Sequence, residues 1–269
     1  MKLFFFDLDG TLLNSKKDIT PGTYAALKEW HAAGNLIAIS SGRPLISILD
    51  VIKTQDLACF DPYAVAFNGS QIYSCREQKN IYKKTISLDD VRTLSSIAKE
   101  LCLHHHSYDD SSILTAAINR EIEYYTRVVR LPVRVLPDFP DGMTDPPCKM
   151  LCIDLDKEGK LERMTSRVAE RGLDSRITAI RSNPYYLELF DHTAGKGSAV
   201  PALAGLLGID ICDTLAAGDE ENDISMINAA GCGVAMLNGT AAVKAAADIV
   251  TVRDNENDGL ADILLNHLI

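Results

Sequence analysis

The stretch Phe4-Phe5-Phe6-Asp7-Leu8-Asp9-Gly10-Thr11 runs from an apolar segment directly into two carboxylates. The apolar run predicts a strand buried on both faces, and strand periodicity puts Asp7 and Asp9 on the same side of the chain. Two acids then meet at one strand end. A hairpin is the competing reading, because Asp-Gly between apolar runs is also a two-residue turn signal. If the strand lies instead in a parallel sheet, its carboxyl end is where such sheets bind ligands.

Outward from this stretch, apolar runs alternate with helical ones. Tyr24–Ala33 reads as an amphipathic helix, Leu36–Ile39 as a strand, the segment after Pro44 as a helix and Ala64–Phe67 as a strand. The same rhythm returns near the C-terminus, with strands expected at Thr214–Ala217, Gly233–Met236 and Ile249–Val252 and helices before, between and after them. This is the pattern of βαβ units and a parallel sheet. From Ile81 to Ser182 the texture changes to longer helices, at Leu88–Leu103, Ile118–Val129 and Leu161–Arg171, with short strands such as Lys149–Asp154. That part reads as an insertion, with a loop over the Pro- and Asp-rich Pro137–Pro147.

With 269 residues, 46% hydrophobic and 24% charged, the chain has the composition of a soluble globular protein of one large or two modest domains. A net charge of −10 disfavours nucleic acid and anionic membranes as partners. Seven scattered cysteines without a CxxC pair suggest neither a disulfide framework nor a zinc site, and fit a reducing cytoplasm. The apolar start is too short for a signal peptide, and no segment is long enough for a membrane span. A monomer or homodimer is expected.

Three further segments carry candidate chemistry. Ser40-Ser41-Gly42-Arg43-Pro44 closes the second predicted strand, with hydroxyls and a glycine backbone ahead of a helix start suited to phosphate; taken alone it is equally a Ser/Gly/Pro turn. Gly195-Lys196-Gly197-Ser198 precedes a helix but fails the Walker pattern, which needs an upstream glycine where Phe190 stands and Ser or Thr where Gly197 stands. Gly218-Asp219-Glu220-Glu221-Asn222-Asp223 packs oxygen ligands at a strand end, which suits a hard cation such as Mg²⁺; the plain alternative is an acidic first helical turn. His104-His105-His106 is disfavoured as a metal site, since consecutive strand residues face opposite ways, and is expected to contact substrate or lie on the surface. His192 is open to a substrate-contacting or a structural role.

Together, Asp7-Leu8-Asp9-Gly10-Thr11, Ser41-Gly42-Arg43, Lys196 and Gly218-Asp219-Glu220-Glu221-Asn222-Asp223 resemble, in order, the motifs of the haloacid dehalogenase superfamily of phosphohydrolases, and within it the Cof-type sugar-phosphatase branch. The resemblance implies an α/β fold with a doubly wound, Rossmann-like parallel-sheet core at 1–81 and 183–269 and an inserted α/β cap at 82–182. It implies a Mg²⁺-dependent phosphatase acting on a small phosphorylated metabolite through an aspartyl-phosphate. Catalysis then falls to Asp7 as nucleophile, Asp9 as acid and base, and Lys196. Substrate binding falls to Leu8, Ser41, Gly42, Arg43, Lys196 and Asn222, and Mg²⁺ to Asp7, Asp9, Asp219, Asn222 and Asp223. A phosphotransferase or mutase with the same intermediate, and a noncatalytic sugar-phosphate sensor, are the alternatives.

Overall fold

The computed structural model describes residues 1–129 and 131–268 and divides into two units, 1–82 with 195–269, and 83–194. In chain order the first unit supplies β1 (Leu3–Asp7), α1 (Pro21–Ala32), β2 (Leu36–Ser40), α2 (Leu45–Thr54), β3 (Tyr63–Ala66), β4 (Gln71–Ser74) and β5 (Lys79–Lys83). The second supplies α3 (Leu88–Glu100), β6 (His104–Tyr108), β7 (Ile113–Thr115), α4 (Arg120–Val129), β8 (Val133–Val135), β9 (Lys149–Ile153), α5 (Lys160–Glu170), β10 (Ile177–Asn183) and β11 (Tyr186–Asp191). The chain then completes the first unit with α6 (Lys196–Leu207), β12 (Thr214–Gly218), α7 (Ile224–Ala229), β13 (Cys232–Ala235), α8 (Ala241–Ala246), β14 (Ile249–Val250) and α9 (Ala261–Asn266).

The first unit's sheet runs β14-β13-β12-β1-β2-β3-β4-β5, parallel from β14 to β3, with β4 antiparallel to β3. The order reverses at β1, which pairs with β2 on one side and with β12, some 200 residues later in sequence, on the other. β1 is buried along its whole length. Alternation sends Leu3 and Phe5 toward α6, where they pack with Ala38, Val65, Ala199 and Leu203. It sends Phe4 and Phe6 the other way, with Phe4 edge-on to Trp30 of α1 at 5.7 Å between ring centroids. A strand covered on both faces must be apolar throughout, which is why Leu3–Phe6 shows no polar alternation. The hairpin reading of Asp9-Gly10 fails on the same pairing, since the neighbours of β1 are both parallel.

The second unit is built on a separate sheet, β10-β11-β9-β6-β7-β8, antiparallel except for β7 with β8. α3 and α5 bury Val91, Leu94, Ile97, Leu161 and Met164 in one cluster with Met150, Cys152, Leu187 and Leu189 of its strands. One boundary differs from the sequence reading. Residues 183–194 belong to this unit and not to the first, because β11 hydrogen-bonds between β9 and β10 in register. An apolar run such as Tyr186–Phe190 fits a strand of either sheet, and only the pairing partner distinguishes the two.

Candidate active site

Three carboxyl-end or helix-start segments of the first unit converge. β1 ends on Asp7, β12 ends on Gly218 directly before Asp219, and Lys196 opens α6. Asp7, Asp219 and Asp223 each offer a carboxylate oxygen within 4.8 Å of the others. All three are buried, Asp223 completely. The Lys196 ammonium donates to Asp7 Oδ1 at 2.5 Å and to Asp223 Oδ1 at 2.6 Å. Asp223 Oδ2 accepts the backbone N–H groups of Asp219 and Glu220, each at 3.1 Å, so the loop closes upon its own last acid. Asp219 Oδ1 accepts from the Thr11 hydroxyl at 2.8 Å.

Close backbone approach makes this convergence possible. Gly10 has φ +87°, and a Cβ there would stand 2.2 Å from Asp219 Oδ2. At Gly197 a Cβ would meet the Ser225 carbonyl oxygen at 2.5 Å, so a glycine lets α6 start against α7 and set Lys196 at the sheet edge.

The charges are unbalanced. Burial, reinforced by the charges of Asp223 and Asp219, pushes the Asp7 carboxyl up to about 7 against the pull of Lys196. Burial with the charges of Asp223 and Glu220 raises Asp219 to about 6, against the Thr11 hydrogen bond and Lys196. Burial opposes the Lys196 charge, but Asp7 and Asp223 hold it protonated well above its ordinary range. Among the described residues Asp7 Oδ2 and Asp219 Oδ2 enter no hydrogen bond, so two carboxylate oxygens of the buried cluster are left for a further cation. A hard divalent ion with oxygen preference fits that donor set.

Asp9 stands apart from the cluster. Its carboxylate is held by Arg43 Nε at 3.0 Å and Nη2 at 2.6 Å, and by Lys17 Nζ at 2.7 Å. Burial works against its ionisation, yet Lys17 and Arg43 outweigh it and keep the carboxyl below its usual range. The expectation that strand alternation would pair Asp7 with Asp9 is corrected here: β1 ends at Asp7, and Asp9 lies in the following turn. Asn222 is exposed, one residue before the fully buried Asp223. The Leu8 side chain is wholly in the core, which leaves only its backbone for a ligand. Ser41 and Gly42 follow β2, with the Ser41 N–H donating to Val65 O at 2.9 Å and Ser41 Oγ accepting from the Arg43 N–H at 3.3 Å.

Sequence reading missed several members. Thr11 orients Asp219, Asn238 Nδ2 donates to Gly10 O at 2.7 Å, and Lys17 pairs with Asp9. Asn68 directly follows the predicted strand Ala64–Phe67; its N–H donates to Ser41 O at 3.1 Å and its side chain lies against Gly42. Left-handed φ at both Phe67 (51°) and Asn68 (55°) shapes this turn. An Asn-Gly pair signals such a conformation, though not its neighbour.

The histidine run lies within the second unit, with His104 and His105 half-buried. His106 is fully buried, bonded to His104 (3.0 Å) and Tyr108 (3.1 Å), while His105 turns to Ser95 on the other face at 2.7 Å. His192 is exposed, its N–H donating to Arg176 O. Among the described residues no helix is long and apolar enough to cross a membrane.

A family model for haloacid dehalogenase-like hydrolases matches residues 4–264. The Bacillus subtilis phosphatase YwpJ is 28% identical over the full length of both chains. The 5-amino-6-(5-phospho-D-ribitylamino)uracil phosphatase YcsE of the same organism is 25% identical over 97% of this chain and 93% of its own. A haloacid dehalogenase-like hydrolase structure from Bacteroides thetaiotaomicron superposes with a TM-score of 0.87 at 31% identity, covering 98% of each chain. With the convergence of Asp7, Lys196, Asp219 and Asp223 at one sheet edge, these matches place the chain in the haloacid dehalogenase-like hydrolase family, as an enzyme of its phosphatase type.

Proposed function

We propose that the protein hydrolyses phosphomonoesters of small metabolites, through a phosphoryl group carried transiently on Asp7. The observation that carries this reading is the buried cluster of Asp7, Asp219 and Asp223 joined by Lys196 at the carboxyl end of β1. Asp7, Asp219 and Asp223, with the Asp9 main chain, would hold Mg²⁺, whose charge would offset their own and that of the phosphate.

Asp7 attacks phosphorus, forming a bond from its carboxylate oxygen as the bond to the substrate's alkoxide breaks. Asp9 gives its proton to that alkoxide. Water then attacks the phosphorus, the bond to Asp7 breaks, and the Asp9 carboxylate accepts the water's proton, so inorganic phosphate leaves and both acids are restored. Phosphoryl transfer asks mainly for position and charge stabilisation. Lys196 and the hydroxyl and backbone of Ser41 and Gly42 meet the phosphoryl oxygens. Arg43 and Lys17 hold Asp9 in its ionised, base-ready form. An anionic substrate that draws these cations away favours the protonated form needed first. The phosphoribityl ester named for YcsE is of the proposed substrate class, a phosphorylated polyol or sugar.

The test is chemical trapping. Acid quench during turnover followed by mass analysis should find phosphate on the peptide containing Asp7. Asp7→Asn should abolish both label and turnover. Full activity after chelation, or a label elsewhere, refutes the reading.

A further inference from the structure

β2 ends on Ser40, and the next residue is a second serine, but the two are not equivalent. Ser41 has the phosphate-facing role proposed above. Ser40 is completely buried, and among the described residues its hydroxyl has no hydrogen-bond partner. An unpaired buried hydroxyl is a cost that alanine, of nearly the same size, would not carry.

Its place in the sheet is specific. The β1–β2 register sets Ser40 directly beside Asp7. Partners in parallel strands face the same way, and the residues two steps earlier, Phe5 and Ala38, both pack on the side of α6. α6 begins with Lys196, whose ammonium holds Asp7 Oδ1 at 2.5 Å. The unpaired hydroxyl therefore stands on the face of the sheet that carries Asp7 and its lysine.

We propose that Ser40 is a positioning residue for Asp7, a role that rests on the reading of Asp7 as nucleophile. In the resting protein Lys196 orients the Asp7 carboxylate. When Lys196 turns to the phosphoryl group, that carboxylate oxygen loses its donor. The Ser40 hydroxyl, adjacent and uncommitted, then donates to it and keeps the carboxylate aimed for in-line attack.

The proposal predicts opposite signs for stability and activity. Ser40→Ala should match or exceed the parent in melting temperature, because it deletes an unsatisfied buried group. It should slow single-turnover phosphorylation of Asp7 about tenfold, the equivalent of one modest hydrogen bond made only in the reacting state, with KM little changed. Ser40→Cys, similar in shape but a weak donor, should be slowed likewise. Phosphorylation within twofold of the parent in Ser40→Ala overturns the proposal. So does Ser40→Cys at parental speed, or a melting temperature that falls together with the rate, which would mark a packing role. The parent is trapped in parallel. If it carries no label on Asp7, the nucleophile assignment fails and the Ser40 role with it. A labelled parent beside a Ser40→Ala variant labelled at the same rate refutes the Ser40 role alone.

Discussion

Asp7 and Asp9 are two residues apart and have opposite electrostatic settings. Asp7 is buried among acids beside Lys196, and the Asp9 side chain is 42% exposed between two cations. The first setting suits a nucleophile whose carboxylate becomes the acyl group of a phosphate anhydride, the second a group that trades a proton. Asp9→Asn should therefore spare substrate binding but slow the first step far more with a sugar phosphate than with nitrophenyl phosphate, since only the alkoxide needs a proton. The difference should approach the 10²–10⁴-fold typical of general acid assistance. Rapid mixing should show a burst of phenolate and then slow turnover, and equal loss on both substrates would remove Asp9 from the acid role. The raised carboxyls make a further prediction. A carboxyl raised in the folded state stabilises the fold below its unfolded value near 3.8, and that stabilisation is lost as pH rises through about 6 for Asp219 and about 7 for Asp7. Chelator-treated protein should thus melt at lower temperature at pH 8 than at pH 5. Added Mg²⁺ should raise the melting temperature more at pH 8, and a shift independent of pH would place the cation elsewhere.

α6 joins the active site to the core. Its first residue is Lys196, and its buried face, Ala199, Val200 and Leu203, packs beneath β1. Gly197→Ala poses a contest of known sizes. Alanine gains up to about 1 kcal/mol of helix propensity over glycine. Its Cβ would enter to 2.5 Å of the Ser225 carbonyl oxygen, backbone that cannot swing aside, at an overpacking cost of about 1–3 kcal/mol. The variant should lose stability on balance, with a larger loss of kcat as Lys196 is displaced. A more stable and fully active variant, measured by thermal melting and steady-state kinetics, would show that α6 and α7 have room to part. At this scale the sequence was informative about existence and less so about ends. The helices α3 and α5 stood where their apolar periodicity put them, whereas β7 and β8, three residues each, went unread because so short a strand has little periodicity to show.

The two units differ in how they should meet acid. In the second, burial lowers His104 to about 3 and His105 to about 4, and drives His106 well down as well. A histidine whose folded value is depressed stabilises the fold above its unfolded value near 6.5, and that stabilisation is lost as pH falls toward the folded values. Hydrogen exchange with mass analysis should show protection of β6 and α4 falling between pH 6.5 and 4, while Trp30, the sole tryptophan, reports separately on the first unit. Unchanged protection over that range would mean that the histidines are not buried in solution. By itself the amino-acid order determined the βαβ rhythm, the central apolar strand ending in Asp7, and the acidic segment that follows a second strand end, because these are written in local periodicity and in residue chemistry at strand ends. Tertiary structure alone decided that β11 pairs with β9 and β10, that Asp9 goes to Arg43 and Lys17, that Thr11 and Asn68 join the site, and that Ser40 stands beside Asp7. Those facts depend on which segments, tens to hundreds of residues apart, become neighbours, and the free energy that selects the neighbours is a property of the packed whole.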